Sequence, residues 1–169
     1  MTVNGIDYRE IKLLGHGKGG YSYLVESESG EQYVLKQIHH EPCDYYTFGN
    51  KIESEKSDYQ RLLNAGIRIP KMLDIDISAE RIIKEYIPGM TIAEMLAEGI
   101  AVDKYIPQVE EMAEKSRVCG FNIDYYPTNF VVCEEKLYYI DYECSEYSHK
   151  WSFAVWGITH WKKTGSLDI

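Results

Sequence analysis

The sequence predicts an α+β protein with strands in its first half and mostly helices in its second. Residues 21–25 place Tyr21, Tyr23 and Val25 at alternate positions, as strands do, and a second strand-like run follows at residues 32–38. From Thr91 onward helix signals predominate, and only two short strand-like runs follow, at residues 130–133 and 137–140. A chain of 169 residues has room for one domain or two small lobes, so this order favours a strand-rich lobe followed by a helical one.

The junction between the lobes is expected near Pro88-Gly89, where the strand pattern stops. This places an N-lobe at residues 1–87 and a C-lobe at residues 88–169. The chain is acidic, with 18 Lys and Arg against 27 Asp and Glu and a formal net charge of −9. Because contacts with nucleic-acid phosphates need clustered cations, broad nucleic-acid binding is not expected.

The apolar runs, the N-terminus and the cysteines all bear on the cellular compartment, and they indicate the same one. No apolar run reaches the length of a membrane span, about 18 residues, and the N-terminus does not resemble a signal peptide. The cysteines form no CxxC pair and are expected to be reduced; they are Cys43, Cys119, Cys133 and Cys144. A cytoplasmic protein with no membrane contact is therefore predicted.

One helix is predicted among the strands of the N-lobe. Asn50 is a good N-cap, and the helix is expected to run to about Ala65 and to stop at Gly66. Its predicted apolar stripe consists of Ile52, Tyr59, Leu62 and Leu63. Strand-like runs precede the helix at residues 21–25 and 32–38 and follow it at residues 71–77 and 81–87.

The C-lobe begins with helix signals. Thr91 and Glu94 form a capping box, and Gly99 follows the last turn of that helix. Asp103 is expected to cap a second helix that runs to about Val118. The remaining predicted elements are strands at 130–133 and 137–140, a turn at 134–136, and one short helix within 151–161.

A glycine-rich segment, residues 15–20, lies directly before the first strand-like run. Its glycines would let backbone amides approach phosphate oxygens without obstruction by a Cβ atom; they are Gly15, Gly17, Gly19 and Gly20. The segment leads into a strand and lacks Gly-Lys-Ser/Thr, so it is neither a dinucleotide-binding fingerprint nor a Walker loop. A glycine-rich hairpin turn without a ligand is the alternative interpretation.

Lys36 ends the apolar run 33–35, and a lysine in such a run needs a partner for its ammonium group. The helix that follows offers one. Glu55 shares a helical face with Ile52, whereas Glu53 lies toward the polar face. We therefore expect Glu55 to point inward, toward Lys36.

Three polar residues mark a second cluster, in the C-lobe. Asp124 and Asn129 stand in a loop before a strand, and Asp141 closes the next strand. Each alone could simply cap a loop or end a strand. Phosphoryl transfer, however, needs an amine on the nucleotide phosphates, oxygen ligands for Mg²⁺ and a carboxylate for the attacking hydroxyl. With Lys36, the chain carries these groups in the expected order.

On these residues the chain resembles the protein-kinase-like superfamily in its small bacterial form, over about residues 10–145. Residues 15–21 resemble the glycine-rich loop, residues 124–129 keep the Asp, Pro and Asn of the kinase DLKPEN stretch, and residues 141–143 stand in place of DFG. Within that superfamily the chain resembles the group that contains aminoglycoside phosphotransferases, lipopolysaccharide kinases and small atypical Ser/Thr kinases. The resemblance implies a bilobal kinase-like fold with an antiparallel β N-lobe and a truncated helical C-lobe.

The resemblance assigns the N-lobe residues to ATP. Lys36, held by Glu55, would bind the α- and β-phosphates, and the hinge backbone at Glu85 and Ile87 would receive the adenine. The glycines would lie over the phosphates in one of two registers. Gly15, Gly17 and Gly20 fit GxGxxG, whereas Gly17, Gly19 and Tyr21 fit GxGxF.

The C-lobe residues are assigned to metal and acceptor. Asn129 and Asp141 would hold Mg²⁺, and Asp124 would be the catalytic residue that orients the acceptor hydroxyl. The implied activity is ATP- and Mg²⁺-dependent transfer of the γ-phosphate to a hydroxyl of a protein or small-molecule acceptor.

Departures from the kinase pattern support an alternative. Asn122 opens the tripeptide that replaces HRD, Tyr126 occupies the position of the catalytic-loop lysine, and Glu143 replaces the DFG glycine. Only 28 residues follow Asp141, without an APE motif. The alternative is a pseudokinase or nucleotide-binding interaction module without transfer activity; a third interpretation is a kinase whose short C-lobe a protein partner completes. Candidate contacts would be exposed aromatic residues among Tyr45, Tyr46, Phe48, Trp151, Trp156 and Trp161.

The segment after residue 38 also contains metal-ligating residue types. They are His39, His40, Cys43 and Asp44. They match no recognised zinc spacing and fall in a loop, so the sequence does not favour a metal site there.

Overall fold

A computed structural model describes residues 1–17, 19–41 and 50–162. Within these ranges the chain combines strands with short helices, which confirms the predicted α+β class. The chain divides into two compact units. Unit 1 comprises Met1–Ser57 and Pro70–Tyr86, and unit 2 comprises Asp58–Ile69 and Ile87–Ile169.

Among the described residues, short strands outnumber helices. The strands are β1 (Thr2–Val3), β2 (Ile6–Asp7), β3 (Arg9–His16), β4 (Gly20–Glu26), β5 (Gln32–Ile38), β6 (Met72–Asp76), β7 (Arg81–Glu85), β8 (Met90–Thr91), β9 (Phe121–Asn122), β10 (Phe130–Cys133), β11 (Lys136–Tyr139) and β12 (Ser145–Glu146). The α-helices are α1 (Lys51–Ala65), α2 (Ile92–Ala97), α3 (Ile106–Val118) and α4 (Ile158–Trp161). Among the described residues, no helix has both the length and the apolar character needed to span a membrane.

A five-stranded antiparallel sheet in the order β3-β4-β5-β7-β6 forms the body of unit 1. On one face, Ile52 of α1 is buried with Ile38 and Ile82. The other face is buried by the N-terminal segment; this cluster contains Val3, Tyr8, Val25, Leu35 and Ile83. Successive residues of β5 therefore serve opposite faces, and Lys36 shares the α1 face with Ile38.

The sequence pattern does not predict β3, although it is one of the longest strands. All eight of its residues are exposed. Its pairing with β4 shifts register between Glu10 and Lys12 and again between Leu13 and Gly15. Each bulge places an extra residue on the strand and breaks the strict alternation of inward and outward side chains.

Helix α1 begins and ends close to the predicted residues. Asn50 Oδ1 accepts a 3.1 Å hydrogen bond from the Glu53 amide, which is an N-cap contact, and Gly66 follows the helix with φ of +81°. The predicted apolar stripe is wrong at one position. Leu63 is 44% exposed because it is turned about 100° around the helix axis from the buried Leu62.

Unit 2 confirms the predicted capping box but not the second cap. Thr91 Oγ1 accepts a 3.0 Å bond from the Glu94 amide at the start of α2. Asp103 does not cap α3; it begins a 3₁₀ turn, Asp103–Tyr105, and α3 starts after it. Pro107 lies in the first turn of α3, where the fixed φ of proline suits the start of a helix.

A small antiparallel sheet in the order β11-β10-β8 carries a hairpin of unit 2. Its turn residues Glu134 and Glu135 have φ of +50° and +63°, as a tight two-residue hairpin turn requires. Phe130 pairs with Tyr139 at the other end of the hairpin. The loop before β10 and the segment after β11 therefore lie next to each other.

The C-terminal segment is not the single short helix that was predicted. It consists of a 3₁₀ turn (His149–Trp151), a π-helical segment (Phe153–Gly157) and α4. Gly157 lies so close to Tyr125 that a Cβ atom at this position would be 2.7 Å from the Tyr125 Cβ. Only glycine fits at this position without moving the Tyr125 side chain.

Three of the cysteines, Cys119, Cys133 and Cys144, are free thiols, which confirms the prediction for these residues. Other residues singled out in the sequence lie outside the described ranges. They are Cys43, Asp44, Tyr45, Tyr46 and Phe48.

Candidate functional site

Lys36 and Glu55 form a buried ion pair within unit 1. Lys36 lies on β5, and Glu55 lies on α1 one turn after Ile52, which anchors the helix on the sheet. The Lys36 ammonium donates a hydrogen bond to Glu55 Oε1, and each side chain is only 11% exposed. Glu53 is exposed, so the predicted inward orientation of Glu55 is confirmed.

The carboxylate of this pair is only half satisfied. Glu55 Oε2 is buried and accepts no hydrogen bond from the described residues. Burying two charges costs free energy that their mutual attraction recovers only when the remaining polar atoms are also bonded. The ion pair is therefore expected to contribute little to the free energy of unfolding. Its geometry is suited to holding an ammonium group in position for an anionic ligand.

The glycine-rich segment lies beside this ammonium group. A Cβ atom on Gly19 would be 3.6 Å from Lys36 Nζ, whereas Cβ atoms on Gly15 and Gly17 would meet nothing within 4 Å. The Gly17 amide donates a 3.0 Å bond to the Gly20 carbonyl and closes the tip of the β3–β4 hairpin. A small anion near Gly19 would thus be within reach of the ammonium.

At position 20, glycine is required by the packing of the sheet and not by a ligand. A Cβ atom at this position would lie 2.4 Å from the backbone carbonyl oxygen of Gln37 on β5. No side chain can be accommodated at that distance without moving the strands apart. Packing of the sheet alone explains this glycine.

The predicted hinge residues fall on either side of the unit boundary. The Glu85 amide donates a 2.9 Å bond to the Lys71 carbonyl, and Glu85 Oε1 accepts a 3.1 Å bond from the Lys71 amide. These bonds hold the segment before β6 to the end of β7. Ile87 belongs to unit 2 and is buried, with 8% exposure.

In unit 2, three hydrogen bonds fix the loop that carries Asp124. Its amide donates to the hydroxyl of Tyr139 at 3.1 Å, and its carbonyl accepts from Asn129 Nδ2 at 3.3 Å. Its Oδ1 atom accepts from the Tyr126 amide at 3.1 Å. The carboxylate is half-buried, so the loop presents it at the surface of unit 2 in a defined conformation.

Asn129 and Asp141 are the candidate metal ligands. Because Asn129 Nδ2 is directed to the Asp124 carbonyl, Asn129 Oδ1 is the atom that would face a cation. The Asn129 carbonyl accepts a 2.9 Å bond from Ile140, the residue before Asp141, so the two candidates lie on adjoining segments. Asp141 Oδ1 accepts from the Tyr142 amide at 2.9 Å. An amide oxygen and a carboxylate are ligands that Mg²⁺ prefers.

Tyr139 is a central residue of the Asp124 loop and its surroundings in unit 2 that the sequence did not single out. It is fully buried, accepts from the Asp124 amide and donates a 3.0 Å bond to the Glu143 carbonyl. Burial, and next the charge of Asp141, raise the pKa of its hydroxyl well above 10.0, so the hydroxyl keeps its proton. Nothing in an apolar strand pattern distinguishes such a tyrosine from an ordinary core residue.

The positions that depart from the kinase pattern have identifiable contacts. Asn122 is buried, with 3% exposure, and its Nδ2 donates a 2.9 Å bond to the Ser148 carbonyl. Tyr126 is 45% exposed, and its ring lies 5.4 Å from the ring of His160. Asn122 thus has a structural role, whereas Tyr126 is presented at the surface beside the Asp124 loop.

Two further buried lysines are present in unit 1. Lys84 is 4% exposed and follows two isoleucines in β7, so the reasoning that selected Lys36 could also have selected it. Lys51 is 3% exposed and donates a hydrogen bond to the His39 carbonyl. Its position at the start of a helix gives no comparable signal in the sequence.

Comparison with the models of known protein families and with curated protein sequences finds no match to this chain. A function therefore has to be inferred from the chemistry of the residues described above.

Proposed function

We propose that the chain is an ATP- and Mg²⁺-dependent phosphotransferase with the bilobal fold of the protein-kinase-like superfamily. It would move the γ-phosphate of ATP to a hydroxyl of a protein or small-molecule acceptor. The observation that carries the proposal is the buried Lys36–Glu55 pair with Gly19 beside the ammonium group.

In unit 1, the proposed task is to bind the nucleotide. Lys36 would contact the α- and β-phosphates, and Glu55 would fix the direction of the ammonium. Gly15, Gly17 and Gly19 would allow backbone amides close to the phosphate oxygens. Electrostatic stabilisation of this kind is effective because a pre-positioned charge needs no reorganisation during the reaction.

In unit 2, the proposed task is to hold the metal and the acceptor. The oxygen donors of Asn129 and Asp141 fit Mg²⁺, and Mg²⁺, when bound, neutralises negative charge on the phosphates. Asp124 would accept the proton of the acceptor hydroxyl. The hydroxyl oxygen forms a bond to the γ-phosphorus while the bond from that phosphorus to the β-phosphate oxygen breaks, and ADP leaves.

We further propose that the protein works in the cytoplasm. Cys119, Cys133 and Cys144 are free thiols, which suits a reducing compartment. The described helices include no membrane-spanning candidate that would require another location.

Calorimetric titration with Mg-ATP tests the proposal directly. The wild-type chain should bind Mg-ATP, and Lys36→Met should weaken binding at least about tenfold because the phosphate contact is lost. Lys56→Met is the matched control, since Lys56 lies on the exposed side of α1, 47% exposed. Circular dichroism should verify that both variants fold. Absence of binding at millimolar Mg-ATP, or equal loss in both variants, would contradict the proposal.

One observation favours a second candidate, a nucleotide-binding module without transfer activity. Tyr126 is exposed at the position of the catalytic-loop lysine. Its backbone amide donates a hydrogen bond to Asp124 Oδ1, an atom that the enzyme would need for the acceptor hydroxyl. Turnover assays with protein, sugar and aminoglycoside acceptors separate the two candidates. Binding of Mg-ATP without release of ADP beyond the background of a Lys36→Met sample would support the module over the enzyme.

A further inference from the structure

Three metal-ligating side chains meet at the tip of the glycine-rich hairpin. His16 ends β3, and His39 and Glu41 follow β5. One ligand atom from each lies within 4.8 Å of a ligand atom of each of the others, and His16 Nε2 is 3.7 Å from Glu41 Oε1. Two imidazoles and a carboxylate form a donor set that suits zinc and related transition metals.

The pairing of strands explains how these residues meet. His16 is the register partner of Tyr21 on β4, and Gly20 on β4 is the partner of Ile38 on β5. The ends of three neighbouring strands therefore lie side by side, and His39 comes directly after one of them. The histidines are far apart in sequence, which is why no zinc spacing is visible in the chain.

The tautomer of His39 suits a metal ligand. His39 Nε2 lies 2.7 Å from the Gly17 carbonyl, and because a carbonyl only accepts, Nε2 carries the proton. The lone pair is then on Nδ1, which accepts a 3.2 Å bond from the Glu41 amide. An ion would replace this long bond. Donation from the second ring nitrogen to a backbone carbonyl is the usual support for a metal-bound histidine.

Glu41 is also held in a position suited to a ligand. The Tyr21 hydroxyl donates a hydrogen bond to Glu41 Oε2. Oε1 of the same carboxylate faces His16. The Tyr21 ring also stacks on the His16 ring, with centroids 4.3 Å apart and planes 7° apart, and so restrains the imidazole.

We propose that His16, His39 and Glu41 bind one divalent transition-metal ion of the zinc class, with Tyr21 as the positioning residue. The ion would tie the tip of the β3–β4 hairpin to the segment after β5. The site rests on unit 1 alone and does not depend on the proposed phosphotransferase activity. The side chains of His16 and Glu41 are each 50% exposed, so an ion can reach them from solvent.

Titration of the metal-stripped full chain with Zn²⁺ and with Co²⁺ tests the site. We expect one ion per chain and, with Co²⁺, visible absorption typical of nitrogen and oxygen ligands in a low-coordinate site. Mg²⁺ in large excess should not compete, because it prefers oxygen ligands. Absence of Zn²⁺ and Co²⁺ binding, or displacement of the ion by Mg²⁺, would overturn the proposal.

Variants separate this site from other histidines. His16→Ala and Glu41→Gln should each weaken Zn²⁺ binding by more than about tenfold, and Tyr21→Phe, which removes only the orienting hydroxyl, by about tenfold. His149→Ala in unit 2 is the matched control, since this residue is also exposed. Thermal unfolding without metal should be similar for wild type and His16→Ala. Binding that survives His16→Ala, or that falls equally in His149→Ala, would overturn the assignment.

Discussion

The indole Nε1 of Trp161 donates a 2.8 Å hydrogen bond to the backbone carbonyl of Tyr125. Both side chains are 1% exposed. Tyr125 directly follows Asp124, so α4 is bonded to the loop that carries the proposed acceptor-orienting carboxylate. The Trp161 ring also meets Phe130 and Phe153 edge-on, at centroid distances of 5.1 and 5.6 Å. The C-terminal segment therefore packs against this loop and stabilises its conformation.

Replacing Trp161 tests that support. Trp161→Phe removes the donor and leaves a buried carbonyl without its bond, so we expect the free energy of unfolding to fall by about 2 kcal/mol. Urea denaturation measures the change. Trp151→Phe is the control, because Trp151 is 48% exposed, and it should change stability by less than about 0.5 kcal/mol. Equal effects would show that the bond to Tyr125 contributes nothing particular.

A double-mutant cycle on the buried ion pair of Lys36 and Glu55 measures how strongly the two residues are coupled. Lys36→Met and Glu55→Leu should each lower the free energy of unfolding by about 3 kcal/mol, because each breaks the buried ion pair. The double variant should be more stable than either single variant. Arg9→Ala breaks the exposed pair with Glu26 and should cost less than about 1 kcal/mol. Additive losses in the double variant would contradict a coupled pair.

Substitutions in the glycine-rich segment can distinguish glycines needed for packing from glycines needed for ligand binding. Gly20→Ala should lower the free energy of unfolding by about 2 kcal/mol, because the new Cβ would collide with the Gln37 carbonyl. Gly15→Ala meets nothing within 4 Å and should leave stability nearly unchanged. If the proposed nucleotide site is correct, Gly15→Ala should still weaken Mg-ATP binding in calorimetry. A stable Gly20→Ala variant would refute the packing explanation.

The roles proposed for Asp124 and Asp141 predict different defects. Asp141→Ala should weaken Mg-ATP binding by about tenfold or more, since a metal ligand is lost. Asp124→Asn should preserve binding and remove transfer, because the amide cannot take the acceptor proton. Calorimetry measures the binding and ADP release measures the transfer. Equal loss of Mg-ATP binding in both variants would contradict these assignments.

Cys144 predicts a stability loss at alkaline pH. Burial, and next the charge of Asp58, raise the pKa of its thiol from 9.0 to about 12. The unfolded chain releases this proton above about pH 9 and the folded chain does not, so the free energy of unfolding should fall as pH rises from 9 to 12. Urea denaturation of wild type and Cys144→Ala across this range measures the contribution. An identical pH dependence in both would contradict the prediction.

Iodoacetamide labelling of the native chain at about pH 8 provides an independent check of the same thiol. Cys119 is exposed and should react, whereas Cys144, whose amide and thiol both donate to Asp58, should remain unlabelled until the chain unfolds. Mass spectrometry of peptides identifies the labelled residue. Labelling of Cys144 as early as Cys119 would show that the thiol is accessible in the folded chain.

Local signals in the sequence are sufficient for much of this structure. Thr91 and Glu94 mark the start of α2 because the side chain of the cap bonds to an amide three residues on. Helical spacing places Glu55 on the face of α1 that meets the sheet, and the strand period places Lys36 on the facing side. These predictions succeed because each depends on backbone geometry that the chain adopts locally.

What the sequence does not reveal depends on contacts between distant segments. The bulges in β3, the collision that requires Gly20 and the approach of Gly157 to Tyr125 are set by neighbouring backbones. The meeting of His16 with Glu41 follows from the register of three strands. A single sequence carries no periodic signal for any of these.

The Tyr139 hydroxyl makes one hydrogen bond to the Asp124 loop and one to the main chain at Glu143. One oxygen accepts from the Asp124 amide and donates to the Glu143 carbonyl, so the hydrogen bonds run in a single direction through it. Bonds in such a chain polarise and strengthen one another. Phenylalanine would fill the same space but would remove the hydrogen bond to the Asp124 amide and the hydrogen bond to the Glu143 carbonyl together. The main chain at Glu143 and the main chain at Asp124 are therefore held to the same side-chain atom.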